Sequence, residues 1–247
     1  MKNRLSRCAA VIAVFLAGRV SAADEDGFAK ANQAYNEAHF QEAAEGYEAL
    51  VQSGHWNANL FYDLGNAYYR LGNFGKAVLN YERALALDPR QPEADANLRL
   101  ARDEARALEL RKDWIERYAS MATVKQYSIA AAVGLWLAVF VTAHLVLSHR
   151  RSAGRIALIV IGVLVCGASA FAISTLESGT RGNALAVVTA KETEARLATA
   201  DNAKSILLLP AGSEIKILSE RGDWIYAALP NDQRGWIPSS SAERVRL

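Results

Sequence analysis

The chain has 247 residues, 51% of them apolar, and its 28 Lys and Arg nearly balance its 26 Asp and Glu; a chain of this size holds one or two small domains. The balance hides a segregation, because residues 24–118 carry 11 basic and 17 acidic residues while 119–176 carry four basic and no acidic ones. An acidic soluble part argues against nucleic-acid binding, and two cysteines, Cys8 and Cys166, without Cys-x-x-Cys or Cys/His spacing argue against a disulfide framework or a zinc site.

In chain order, the first stretch reads as a secretory signal over residues 1–23. Lys2, Arg4 and Arg7 give a positive start, residues 8–18 an apolar run, and Val20-Ser21-Ala22 a small-residue cleavage site, with cleavage expected after Ala22 or Ala23. Eleven apolar residues are too few to cross a bilayer as a helix.

From Phe28 to Pro89 the sequence repeats with a period of 34: Ala31/Gly65, Asn32/Asn66, Tyr35/Tyr69, Phe40/Phe74, Ala43/Ala77 and Tyr47/Tyr81 align without gaps. Small and aromatic residues alternating at this period resemble the tetratricopeptide helix-turn-helix, and Phe61, Leu64, Gly65, Tyr68, Gly72, Phe74, Ala77, Tyr81, Ala84 and Pro89 all fall on that family's pattern. Gly65 and Ala77 are small where two helices cross closely, Gly72 ends a first helix, and Asp88-Pro89 closes a second. The first copy departs from the pattern at Lys30, Ala31 and His55 and reads as an atypical end repeat. The expected domain therefore covers 24–118, with repeats at about 24–57 and 58–91. A single long capping helix is expected over 92–118, with an apolar stripe of Ala94, Leu98, Ala101, Ala105 and Leu108 and a solvated charged face that includes Arg102 and Glu109.

Residues 127–147 and 156–176 are two 21-residue runs without Asp, Glu, Lys or Arg, each about 31 Å long as a helix, which matches a bilayer core. They predict a transmembrane hairpin. Its loop, 148–155, holds Arg150, Arg151 and Arg155 and is expected on the cytoplasmic side, leaving both flanking modules extracytoplasmic. With no charge inside either run, the hairpin reads as an anchor and not a transport path.

Beyond it, 184–189, 206–209, 214–219, 224–228 and 235–237 are strand candidates separated by Pro210-Ala211-Gly212, Arg221-Gly222-Asp223 and Pro230-Asn231-Asp232. Leu209-Pro210-Ala211-Gly212, Gly222-Asp223-Trp224 and Gly235-Trp236-Ile237-Pro238 resemble the second half of a bacterial SH3-like domain, which implies a small all-β barrel over 181–247. The first half departs from that family at Arg196-Leu197-Ala198-Thr199. Trp224 and Trp236 have two readings, as barrel core or as an aromatic face for a peptide or glycan such as peptidoglycan.

No phosphate loop, His-Glu-x-x-His, Gly-x-Ser-x-Gly or dinucleotide fingerprint occurs, and the four histidines, His39, His55, His144 and His149, are scattered. No catalytic, cofactor-binding or metal site is expected.

The whole order, a signal segment, tetratricopeptide repeats, a membrane hairpin and an SH3-like barrel, resembles the BatE proteins of the Bacteroides aerotolerance group. That resemblance implies an inner-membrane, periplasm-facing scaffold, partners carrying von Willebrand type A domains, and a link to oxidative or envelope stress. On a tetratricopeptide unit the first helices line the concave face, so Asn32, Tyr35, Tyr62, Asn66, Tyr69 and Arg70 are the expected partner-binding residues; Tyr35 and Tyr69 equally fit packing between repeats. Some members of that family clamp a terminal carboxylate there, but only Asn32 matches that pattern. Phe28, Asp63, Glu93 and Asn97 stand where Lys, Asn, Lys and Arg are needed.

Overall fold

The computed structural model describes residues 22–148, 152–180, 182–200 and 202–246. The expected signal segment up to residue 21, and Arg150 and Arg151 of the expected loop, lie outside the described residues. The chain divides into two compact units, Met1–Ala101 and Arg102–Leu247.

In the first unit, four helices form two antiparallel pairs: α1 (Ala22–Asn36) with α2 (Phe40–Gln52), and α3 (Ala58–Arg70) with α4 (Phe74–Leu87). The Asn57 and Asn73 side chains cap α3 and α4 by accepting from the backbone N–H of Leu60 (2.8 Å) and Lys76 (3.3 Å). Ala31, Ala34, Ala43, Ala44, Tyr47 and Leu50 bury the seam of the first pair, and Phe61, Leu64, Ala77, Val78 and Tyr81 that of the second. Gly65 is small by necessity, since a Cβ there would sit 2.7 Å from the Tyr81 ring.

The 34-residue period is a period of contacts. The Tyr47 hydroxyl donates to Asn32 Oδ1 (2.6 Å) and the Tyr81 hydroxyl to Asn66 Oδ1 (2.8 Å). The Phe28–Tyr47 ring pair (5.8 Å) returns as Tyr62–Tyr81 (6.1 Å), and Tyr35–Phe40 (5.3 Å) as Tyr69–Phe74 (5.5 Å).

The helix expected over 92–118 is two helices. Pro92–Ala105 forms α5, with Ala94, Leu98 and Ala101 fully buried as the stripe predicts. The helix then stops at Arg106, whose φ is +53. In the second unit, residues 108–110 run along the start of strand β4 (Glu214–Arg221). There Leu108 N–H donates to Ser213 Oγ (3.1 Å), Glu214 N–H to the Leu108 carbonyl (2.8 Å), and Leu110 N–H to Glu214 Oε2 (3.0 Å). Leu108 packs on the sheet core in place of a helical stripe. Arg102 is also not on a solvated face: it is buried against Glu214, itself buried, and reaches Glu109 at 3.2 Å. A short helix, α6 (Trp114–Ala119), follows.

Two long apolar helices, α7 (Val124–Ser148) and α8 (Ala153–Ser178), pack along each other and contain the two runs. Both are long and apolar enough to cross a membrane. Gly134 and Gly162 meet backbone to backbone, since a Cβ on Gly162 would come within 2.5 Å of the Gly134 carbonyl oxygen. Most of their large side chains, such as Trp136, Phe140, Leu164 and Phe171, face outward.

The C-terminal part is a seven-stranded antiparallel sheet of order β3-β2-β6-β5-β4-β1-β7, in which β3 and β7 are the ends of the strand order. Five strands match the expected ones: β1 (Leu185–Val188), β3 (Ser205–Pro210), β4, β5 (Trp224–Ala228) and β6 (Arg234–Pro238). Two were not expected, β2 (Glu192–Arg196) and β7 (Ala242–Arg244). Val188, Ala195, Leu209, Ile215, Ile225, Ala227 and Ile237 fill its core.

Candidate partner-binding groove

Between α1, α3, α4 and α5 the first unit carries a small cavity of about 120 Å³, bounded by Tyr35, Asn66, Tyr69, Arg70, Tyr81, Asn97 and Leu100. Four of the six expected groove residues therefore come together: Tyr35, Asn66, Tyr69 and Arg70. Asn32 and Tyr62 do not border the cavity. Asn32 is held by Tyr47, and the Tyr62 hydroxyl accepts from Asn97 Nδ2 at 3.3 Å.

The arrangement follows from the repeats. Asn66 Oδ1 accepts from both Tyr81 (2.8 Å) and Asn97 Nδ2 (2.9 Å), which fixes the Asn66 amide and aims it from α3 toward α5. Tyr35 and Tyr69 do both things open to them: each packs edge-on against its own Phe while its half-buried ring borders the cavity. The Arg70 guanidinium lies 4.3 Å over the Phe40 ring, a cation–π contact joining the second repeat to the first. Among the described residues it has no carboxylate in ion-pair range.

Burial raises the phenols of Tyr47 and Tyr81 well above their usual range, so both stay neutral donors. Asp63 on α3, half-buried, is pushed up to about 6 by desolvation, and its charge in turn raises Tyr47. Tyr68 on α3 donates to Glu48 on α2 and accepts from Lys76 Nζ on α4 (3.0 Å); burial first, then Glu48, push its phenol up to about 12.

Sequence reading missed Asn97, Leu100 and Tyr81 as groove residues. Asn97 is the wrong residue for a carboxylate clamp, which needs Arg there. Its spacing from the buried Ala94 and Ala101 on α5, three and four residues away, sets it beside the buried stripe and toward α3.

On the sheet, Trp224, Tyr226 and Trp236 are half-buried and alternate with the core residues Ile225, Ala227 and Ile237. Both tryptophans therefore lie on the face away from the core. Tyr226 and Trp236 pair across strands, with ring centroids 4.9 Å apart. No cluster of His, Cys, Asp and Glu suited to a metal ion occurs among the described residues.

Residues 58–91 match the family model of the tetratricopeptide repeat. They are α3 and α4 with their closing turn, and such repeats are generally protein–protein interaction modules. The chain is a tetratricopeptide-containing protein whose matched repeat supplies Asn66, Tyr69, Arg70 and Tyr81 to the cavity.

Proposed function

We propose that this protein is a membrane-anchored interaction scaffold that captures a segment of a partner protein on the concave face of its repeats. The observation that carries this reading is the cavity itself, where an unneutralised guanidinium, two half-buried tyrosines and a fixed amide converge in a repeat of an interaction family. The two apolar helices act as a transmembrane hairpin, and the basic loop keeps both soluble parts on the extracytoplasmic side. BatE-like architecture extends the reading to an envelope role with partners bearing von Willebrand type A domains, in aerotolerance or envelope stress. The protein is not an enzyme in this reading and needs no cofactor.

In-cell photocrosslinking from position 69, followed by identification of the captured protein, tests the proposal. Capture is expected, and it is abolished by N66A/R70A. Unchanged capture by a correctly folded N66A/R70A protein would remove the groove assignment.

A second reading rests on the outward aromatic pair Tyr226 and Trp236: the sheet, as an SH3-like barrel, binds peptidoglycan or a peptide. Retention of the full chain on cell-wall sacculi, lost in W236A, supports this reading. Absence of retention leaves the scaffold alone.

A further inference from the structure

Helix α6 is inside out for a helix in water. Trp114, Tyr118 and the following Met121 are 70%, 66% and 80% exposed, while Glu116 and Ala119 are each only 7% exposed. The Glu116 carboxylate is not stranded: Oε1 accepts from the Thr180 backbone N–H at 2.8 Å and from its hydroxyl at 2.5 Å. This bond clips α6 to the chain just past the end of α8. Trp114 and Tyr118 stand edge to face, centroids 6.4 Å apart. Behind them, an apolar cavity of about 570 Å³ runs down α8, bordered by Ile115, Tyr127, Val165, Phe171 and Ala172 as well as the two rings.

Exposed aromatics on a six-residue helix have no reason to persist in water, where an apolar patch of this kind marks a contact surface. Tryptophan and tyrosine instead favour the zone where lipid chains meet headgroups. The patch is continuous with the outward apolar faces of α7 and α8. Arg117 and Lys125, both exposed, flank it with long side chains suited to reaching headgroup phosphates. We propose that α6 is an interfacial membrane helix and that the cavity between it and α8 takes the acyl chain of a bilayer phospholipid. This rests on the hairpin being inserted in a bilayer, and it adds a lipid site that the hairpin alone does not require.

The test uses the full chain reconstituted into phosphatidylcholine vesicles with acyl chains brominated either near the glycerol or near the methyl end. The emission of Trp114 is obtained as the difference between wild type and W114F, and that of Trp136 likewise from W136F. Strong quenching of Trp114 by bromine near the glycerol end, and of Trp136 by bromine near the methyl end, supports the proposal. Ala168 also borders the cavity, so A168F narrows it, and a phospholipid carried by the purified wild type in native mass spectrometry but lost from A168F supports occupancy of the cavity by a chain. A phospholipid carried equally by both proteins, or by neither, overturns that occupancy. Trp114 left unquenched while Trp136 is quenched overturns the interfacial helix and points to a protein segment covering it. Neither being quenched overturns the hairpin reading and this inference with it.

Discussion

At the turn inside each repeat the backbone passes through the left-handed region, at φ +62 for Ala38 and +72 for Gly72. The two turns close with the same bonds, from His39 N–H to the Ala34 carbonyl and from Asn73 N–H to the Tyr68 carbonyl. Ala38 carries a Cβ where the conformation favours none, so A38G is expected to stabilise the repeats by about 0.5–1 kcal/mol, after subtracting glycine's larger unfolded-state entropy. Chemical denaturation followed by helical circular dichroism checks the sign. Asp63 makes a second prediction. Its folded value, about 6, lies above its ordinary 3.8, so the fold binds the proton more tightly than the unfolded chain does. The contribution of Asp63 to stability is greatest below the ordinary value and is lost as pH rises through 6. The ceiling is roughly 3 kcal/mol, and partial solvent access lowers it to about 1. D63N should flatten this slope and raise the protection of α3 amides at neutral pH, read by hydrogen exchange. A D63N protein that keeps the wild-type slope would show that Asp63 does not set it.

The helices of the repeats were legible in the sequence because one set of contacts is written twice: Asn32–Tyr47 and Asn66–Tyr81 enforce the same spacing in both copies. Helix α5 was legible only to Ala105. Leu108 continues the apolar stripe in sequence, but β4 offers it backbone hydrogen bonds and a core to enter, and that long-range competition has no local signature. Strand β2 was missed because its sequence, Glu192 to Arg196, has only Thr193 and Ala195 buried; such a strand is polar by composition and is fixed by its neighbours β3 and β6. In the groove, the residues repeated between copies were readable, whereas Asn97 lies outside the repeat and enters through the register of α5. The Arg102–Glu214 pair holds the irregular segment after α5. Replacing Arg102 with Met takes the cation from a carboxylate that is only 3% exposed, at a cost of about 3–5 kcal/mol. Adding E214L should recover much of this, read by denaturant unfolding with the sheet tryptophans as reporters. A single R102M change that costs nothing would mean the pair is solvated in solution.

For the molecule as a whole, the distribution of charge does what its near-zero sum conceals. Acidic residues collect in 24–118, while residues 119–176 have four basic residues and no acidic one. A two-span arrangement puts Ser120 and Ser240 on one side of the membrane and Ser152 on the other. Under the proposed extracytoplasmic orientation, cysteines introduced at these positions in a chain lacking Cys8 and Cys166 should react with an impermeant maleimide in intact spheroplasts at 120 and 240 but not at 152. Labelling of 152 alone would invert the orientation, and labelling of all three would remove the hairpin.

The doubly engaged Asn66 has one more consequence. Its carbonyl oxygen already takes hydrogens from Tyr81 and Asn97, so its acceptor capacity is spent inside the protein and only its N–H group is left to offer. Arg70 contributes further N–H groups and no acceptor. The wall made by Asn66 and Arg70 thus has a hydrogen-bond polarity: it gives hydrogens and takes none. A partner segment that turns backbone carbonyls, carboxylates or amide oxygens toward this wall meets complementary atoms. One that turns a lysine or arginine toward it meets donors facing donors, a mismatch that sorts partners before any shape is compared.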